Sequence, residues 1–165
     1  MTRLMVMSDS HGDLTTLRNL VEKAWKLYPG SIDAYIHLGD GASQFSDIQL
    51  LFASRDPRAR FYSLRGNCDW SSDVNEEAVI MLGGKRIFAC HGHRYRVKGG
   101  LTLLSYVAQE RGCDMALYGH THIYDMDTLG GVVMINPGAA CEGSLCIVEW
   151  DEKGEIQLHR IRDSY

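Results

Sequence analysis

In Gly119-His120-Thr121-His122 two imidazoles stand one residue apart, close enough to reach a common point, and the glycine before them lets the backbone turn tightly. Alone, a His-x-His pair is explained as well by a surface loop. Four earlier segments repeat the arrangement, each a short apolar run ending in possible metal donors. They are Asp9-Ser10-His11, Gly39-Asp40-Gly41, Gly66-Asn67-Cys68-Asp69 and His91-Gly92-His93. Any one of these reads as a turn or a cap, whereas the series does not. The candidate ligands are Asp9, His11, Asp40, Asn67, His91, His120 and His122. Two carboxylates, four imidazoles and an amide are too many for one tetrahedral zinc, and no thiolate set accompanies them. They suit two neighbouring divalent metals with mixed nitrogen and oxygen donors and one bridging carboxylate. Mn is the leading candidate, with Ni, Fe, Zn or Co acceptable to the same donors.

The elements that must carry these residues are readable from hydrophobic pattern. Leu4 to Met7 is a continuous apolar run, as for a strand buried on both faces. Leu14, Leu17, Val21 and Ala24 recur at helical spacing and stop near Tyr28-Pro29-Gly30. Ala34 to Leu38 predicts a second strand. Phe45, Ile48, Leu51 and Phe52 predict a second helix, halted around Asp56-Pro57, and Arg60 to Leu64 a third strand. Strand and helix in alternation argue for a parallel sheet with crossover helices. Val79 to Leu82, Gly83-Gly84 and Arg86 to Cys90 predict a hairpin. Leu101, Leu104, Val107 and Ala108 predict a third helix, and Met115 to Tyr118 a strand leading into the histidine pair. The tail offers strands at Tyr124 to Leu129, Val132 to Ile135, Leu145 to Trp150 and Ile156 to Ile161, expected as an antiparallel meander. Without repeats or linkers, residues 1–165 read as one α/β domain of two packed mixed sheets with helices outside. Ligands in open α/β sheets bind beyond the carboxyl ends of the strands, where each candidate falls.

Composition narrows the partners. A chain of 165 residues, 45% hydrophobic, is ample for one core. A formal charge of −4 and a pI near 5.9 give no global field for nucleic acid or anionic membrane, so long nucleic acids are not expected. Compact phosphorylated ligands stay open, because a metal supplies positive charge locally. Cysteines 68, 90, 113, 141 and 146 form an odd set without a C-x-x-C pair. No run approaches the roughly 20 apolar residues of a membrane span, and the apolar N-terminal stretch is too short for a signal peptide. Reduced thiols in a cytoplasmic protein are the economical expectation.

Asp9-x-His11, Gly39-Asp40, Gly66-Asn67-x-Asp69, His91-Gly92-His93 and Gly119-His120-x-His122 together resemble the motif series of the calcineurin-like metallophosphoesterases, and Asn136-Pro137-Gly138 extends the match. The size and the Gly-Asn-Cys-Asp segment most resemble the small single-domain phosphodiesterases of bacteria and archaea. The resemblance implies a four-layer α/β/β/α sandwich and hydrolysis of a small phosphodiester. It implies that Asp9, His11 and His122 hold one metal, that Asn67, His91 and His120 hold the other, and that Asp40 bridges. A shared hydroxide would then attack phosphorus, while Asn67 and the metals offset charge on the phosphoryl oxygens. The same centre also serves phosphomonoesterases and pyrophosphatases, and the fold includes a retromer subunit that works through protein contacts. The complete ligand set favours an enzyme, and a homo-oligomer is left open.

One departure stands out. Many relatives carry histidine where this chain has Cys68, and a thiol of ordinary pKa near ~8.5 is a poor substitute for an imidazole acid. Good leaving groups, or a proton from His93, would answer the change. Asp69 is expected to orient residue 68 or a ligand histidine. His93 is equally well a plain loop residue. Arg94, Arg96 and Lys98 read first as solvated surface, with a phosphate clamp led by Arg94 as the sharper alternative. Trp70 either stacks on a nucleobase or packs over the site, packing being the simpler expectation. Cys68 and Cys90 read as small packed residues, His37 as a satisfied core histidine and His159 as a solvent-facing strand residue.

Overall fold

The computed structural model describes residues 1–70 and 73–163. Its first half follows the alternation in the sequence. β1 (Thr2–Met7), β2 (Ala34–His37) and β3 (Arg60–Ser63) lie parallel and adjacent, with Leu4 opposite Ala34 and Ala34 opposite Arg60. The crossovers are α1 (Leu14–Leu27) and α2 (Ala42–Arg55). Asp13 starts α1 by accepting the Thr16 amide at 3.0 Å, a side-chain cap for an otherwise unpaired donor.

The second sheet begins with the expected hairpin of β4 (Glu77–Leu82) and β5 (Lys85–Cys90), turned at Gly83-Gly84 with both φ positive. α3 (Thr102–Glu110) then carries the chain to β6 (Met115–Leu117), parallel to β5. β7 (Asp125–Leu129) and β8 (Val132–Asn136) complete this sheet in the order β4-β5-β6-β8-β7. β9 (Ser144–Trp150) and β10 (Ile156–Arg162) join the first sheet, giving β10-β9-β1-β2-β3. The continuous antiparallel meander expected for the tail is therefore corrected. It is two hairpins sent to different sheets, and β8 runs parallel to β6. Burial explains the split: β9 is buried along its whole length and pairs centrally with β1, whereas β7 is largely exposed and forms an edge.

Strict alternation along β1 builds the layers. Leu4 and Val6 enter the core between the sheets, with Ile36, Ile87, Leu117 and Val148. Met5 and Met7 face outward beneath Leu17, Val21, Phe45 and Phe52 of the first two helices. On the far side Phe88, Ala116 and Met134 pack against Leu104 and Ala108 of α3. Two five-stranded mixed sheets thus lie between helices, the α/β/β/α sandwich. A run apolar on both faces is the expected signature of such strands. Among the described residues no helix is long and apolar enough to cross a membrane.

His159 is not simply solvent-facing. It meets Glu149 at 3.1 Å and its ring lies 4.5 Å from that of Tyr28. At the end of the sandwich away from the candidate ligands, buried Trp150 of the first sheet donates its indole N–H to Gly83 O in the β4–β5 turn at 2.9 Å. Trp150→Ala removes both the inter-sheet volume and this tie, and costs about 3–5 kcal/mol in a urea-unfolding measurement. A loss below about 1 kcal/mol would show that the sheets close without it.

Candidate metal centre

Every candidate ligand lies in a loop just past the carboxyl end of a strand. Asp9 and His11 follow β1, Asp40 follows β2, Asn67 follows β3, His91 follows β5, and His120 and His122 follow β6. The parallel portions of both sheets point the same way, so loops remote in sequence meet. The backbone is bent to suit. Among the described non-glycine residues with positive φ are Asp9 (55°), His11 (46°), Asp40 (57°), His120 (69°) and His122 (62°), and the remaining one is Arg96. Left-handed backbone costs a side-chain-bearing residue about 1–2 kcal/mol, and such strain gathers at functional sites.

The side chains form two groups. Asp9, His11 and His122 bring donor atoms together on one side, and Asp40, His91 and His120 on the other. His11 Nε2 and His122 Nε2 are 3.3 Å apart, and His122 Nε2 is 3.2 Å from Asp9 Oδ1. Asp40 Oδ2 faces both groups, 3.7 Å from His11 Nε2 and 3.3 Å from His91 Nε2. Two atoms at the centre are buried and have no hydrogen-bond partner, Asp9 Oδ1 and His91 Nε2, 3.8 Å apart. Buried polar atoms are nearly always satisfied, so two facing one another define a place for a cation.

Their neighbours set which atoms are left over. Asp9 Oδ2 accepts from Ser8 Oγ at 2.6 Å and from the His120 amide at 3.0 Å, which leaves Oδ1 for the centre. His91 Nδ1–H donates to Leu38 O at 3.0 Å, presenting Nε2 as a lone pair. Glu142 does the same for His122, taking Nδ1–H at 3.2 Å. Asp40 Oδ1 accepts the Cys68 amide at 2.8 Å. Burial opposes the Asp40 charge, but the adjacent His91 imidazole and the Cys68 amide outweigh it and hold the carboxyl well below its usual range. Burial also disfavours a charged His91, and the Asp40 and Asp9 carboxylates more than offset this and raise its pKa. His120 is lowered by burial, then by His91 and Lys98.

Gly119 has an ordinary φ, so its value is space rather than the tight turn expected of it. A Cβ there would stand 2.1 Å from Ser8 Oγ and 2.8 Å from Asp9 Oδ2. Gly39 needs both freedoms, with φ of 111° and a Cβ that would meet Gly66 N at 2.6 Å.

The other sequence candidates fall as follows. Asp69 holds the loops rather than residue 68 or a histidine: its Oδ2 accepts the Asp40 and Gly66 amides at 2.8 and 2.9 Å, and its Oδ1 those of Gly41 and Ala42. It thereby caps α2, whose own first residues supply no side-chain cap. Asn67 is exposed, and its amide donates toward Cys68 Sγ at 3.5 Å. Cys68 is exposed rather than packed, within metal-ligand reach of His11 and Asp40, and burial and then Asp40 push its thiol up. His93 stands beside His91 and His120, with ring centres 5.4 and 6.1 Å away, its Nδ1 buried and unpartnered. Burial and then His91 lower its pKa. Arg94 is paired with Glu76 at 2.6 Å, and Glu76 also holds Arg65. Trp70 corrects the packing expectation: it is 99% exposed, on the rim of a cleft of about 460 Å³ that opens at His11, Asp40 and Cys68. His37 is buried and satisfied, accepting the Gly39 amide on Nδ1 at 3.1 Å and facing Ser10 Oγ at 3.0 Å.

Ser8, Glu142 and the role of Asn136 were missed in the sequence. Asn136 donates to Gly119 O and Thr121 Oγ1, at 3.2 and 2.9 Å, shaping the histidine loop. Ser8 adjoins Asp9 and was findable, whereas Glu142 carries no local signal.

Fold and donor clusters together are those of a metal-binding phosphoesterase family, and comparison with known proteins agrees. Residues 2–153 match the calcineurin-like phosphoesterase superfamily domain, and the chain belongs to that family. It is 32% identical over 136 residues to the probable metallophosphoesterase YsnB of Bacillus subtilis, covering 82% of this chain and 73% of the relative. Phosphodiesterase MJ0936 of Methanocaldococcus jannaschii is 27% identical over 153 residues, 84% of each chain. A crystal structure from Streptococcus pneumoniae, of a phosphoesterase inferred from its sequence, superposes with TM-score 0.72 at 26% identity, covering 98% of both chains.

Two outcomes follow from the geometry. Gly119→Ala forces Ser8 and Asp9 aside, so metal affinity by calorimetry falls at least about tenfold while circular dichroism stays native. Unchanged affinity would show that the loop yields. Burial holds His37 neutral, with its pKa pushed down to about 4. An unfolded histidine near ~6.5 binds a proton in that interval and the folded one does not, so stability contributed by His37 is full above pH ~6.5 and lost as pH falls toward 4. In metal-free protein His37→Gln flattens the dependence of urea stability on pH between about 6.5 and 4, by up to about 3 kcal/mol across the window. An identical slope in both proteins would refute the assignment.

Proposed function

We propose that this protein is a phosphodiesterase dependent on two divalent metal ions. The observation that carries the reading is the facing pair of buried, unpartnered donors, Asp9 Oδ1 and His91 Nε2, with Asp40 Oδ2 turned to both ligand groups. Asp9, His11 and His122 would hold one ion. His91, His120 and Asn67, whose amide now touches Cys68, would hold the second, with Asp40 between them. Nitrogen and oxygen donors accept Mn, the leading candidate, as well as Ni, Fe, Zn or Co. Such ions when bound supply an activated water and neutralise charge at phosphorus.

The protein's own part is positioning. Ser8, Glu142 and Leu38 O fix the free donor atom of Asp9, His122 and His91, so the ligands need little reorganisation. His93 is held toward its neutral form, in which an imidazole accepts a proton rather than giving one, and Cys68 is held as a thiol. With a thiol at Cys68 in place of an imidazole acid, the reading favours diesters whose leaving group departs without a proton. The name of the archaeal relative, a phosphodiesterase, supports the same class. Free thiols at all five cysteines suit a reducing cytoplasm.

The test is hydrolysis of bis(p-nitrophenyl) phosphate and p-nitrophenyl phosphate by metal-stripped protein reloaded with Mn or Ni. The diester is the better substrate, and Asp40→Asn and His120→Ala each lower kcat/KM at least about a hundredfold. Cys68→His shifts the ratio toward the monoester by supplying an imidazole acid. Full activity in either ligand variant, or none in the reloaded protein, would overturn the reading.

A further inference from the structure

A second cleft of about 470 Å³ adjoins the histidine loop. Thr121, the residue between His120 and His122, lines it, while His11, Asp40 and Cys68 line the first. The two openings are of nearly equal size, each within the range of small-molecule sites, and the second reaches the ligand cluster through Thr121 and through Lys98, whose charge acts on His120. A phosphomonoester has one organic group to place, and a phosphodiester has two.

The walls of the second cleft differ in chemistry from those of the first. Val97 and Tyr118 form a buried base, Leu101 is half-buried, and Ile123 is 67% exposed beside them. Among the described residues that line it, the cation is Lys98. Arg94 is committed to Glu76, whereas Lys98 makes no ion pair among the described residues. Asp125 lines the same cleft and keeps its charge; it accepts the Tyr118 hydroxyl at 3.3 Å, and among the described residues it makes no ion pair with Lys98. An apolar wall with a free ammonium at its edge is complementary to a flat apolar group that ends in an anion.

We infer that this second cleft binds the other arm of the phosphodiester, an aryl or heterocyclic group bearing an anionic substituent that pairs with Lys98. The inference rests on the diesterase reading and deepens it: the substrate is unsymmetrical, with one arm beside Trp70 and a second, anionic arm beside Lys98.

The test keeps p-nitrophenol as the leaving group and varies the other arm of the diester from phenyl to 4-carboxyphenyl. Wild-type protein prefers the carboxylated arm, and Lys98→Gln lowers the ratio of the two kcat/KM values about tenfold. Ile123→Asp, which puts a carboxylate on the wall, lowers the same ratio. A ratio unchanged by both substitutions would overturn the inference while leaving the diesterase reading intact. If no diester is cleaved, the diesterase reading fails, and binding alone still judges the cleft. Titration of metal-free, methyl-labelled protein with methyl 4-carboxyphenyl phosphate shifts the Leu101 and Ile123 methyl resonances, and Lys98→Gln weakens that binding. Methyl signals that stay fixed would refute the cleft directly.

Discussion

The carboxylate of Asp9 is fully buried, and the rest of the site is arranged around that fact. Taking a carboxylate out of water is costly unless its oxygens are paired. One oxygen is met by Ser8 from the same loop and by the His120 amide from the other sheet. The backbone of this segment is tied too, with Ser8 O and Asp9 O accepting the amides of Ala140 and Cys141 from the β8–β9 connection. A single residue thus draws together the end of β1, the end of β6 and the connection that returns the chain to the first sheet. The oxygen left over is the one that a cation would repay, so fold stability and metal chemistry share one atom.

Much of the architecture was legible because burial leaves a simple mark. Leu4 to Met7 had to be apolar throughout, since alternate residues serve two different cores. The helices declared themselves by spacing, and the glycine pairs at 83–84 and 130–131 marked hairpins by demanding positive φ twice in succession. What failed was the destination of the tail. A turn is a local event, but which sheet receives a hairpin depends on which edge is free and which face needs cover. Neither is written in the residues of β7 or β9 themselves.

The site shows the same division. Ligand types and order were visible, because each sits where an apolar run stops, and His37 was readable as a core residue from its apolar surroundings. The partners that select the donor atom were less so. Glu142 reaches His122 from twenty residues further along, across a connection with no pattern of its own. Asp69 turned out to bind the amides of the neighbouring loop, a task that its sequence neighbours do not reveal. The exposure of Trp70 was hidden for the opposite reason: hydrophobicity predicts burial, and a residue kept at the surface is an exception to that rule.

The left-handed conformation of Asp9, His11, Asp40, His120 and His122 carries a consequence for how this fold can change over time. Glycine is the residue that this backbone would choose on its own account. Selection for durability alone would replace the donors with glycine and leave a sturdier sandwich with an empty rim. Retaining aspartate and histidine at all five positions means that the chain tolerates a standing conformational burden, one that a bound ion would offset through the side chains.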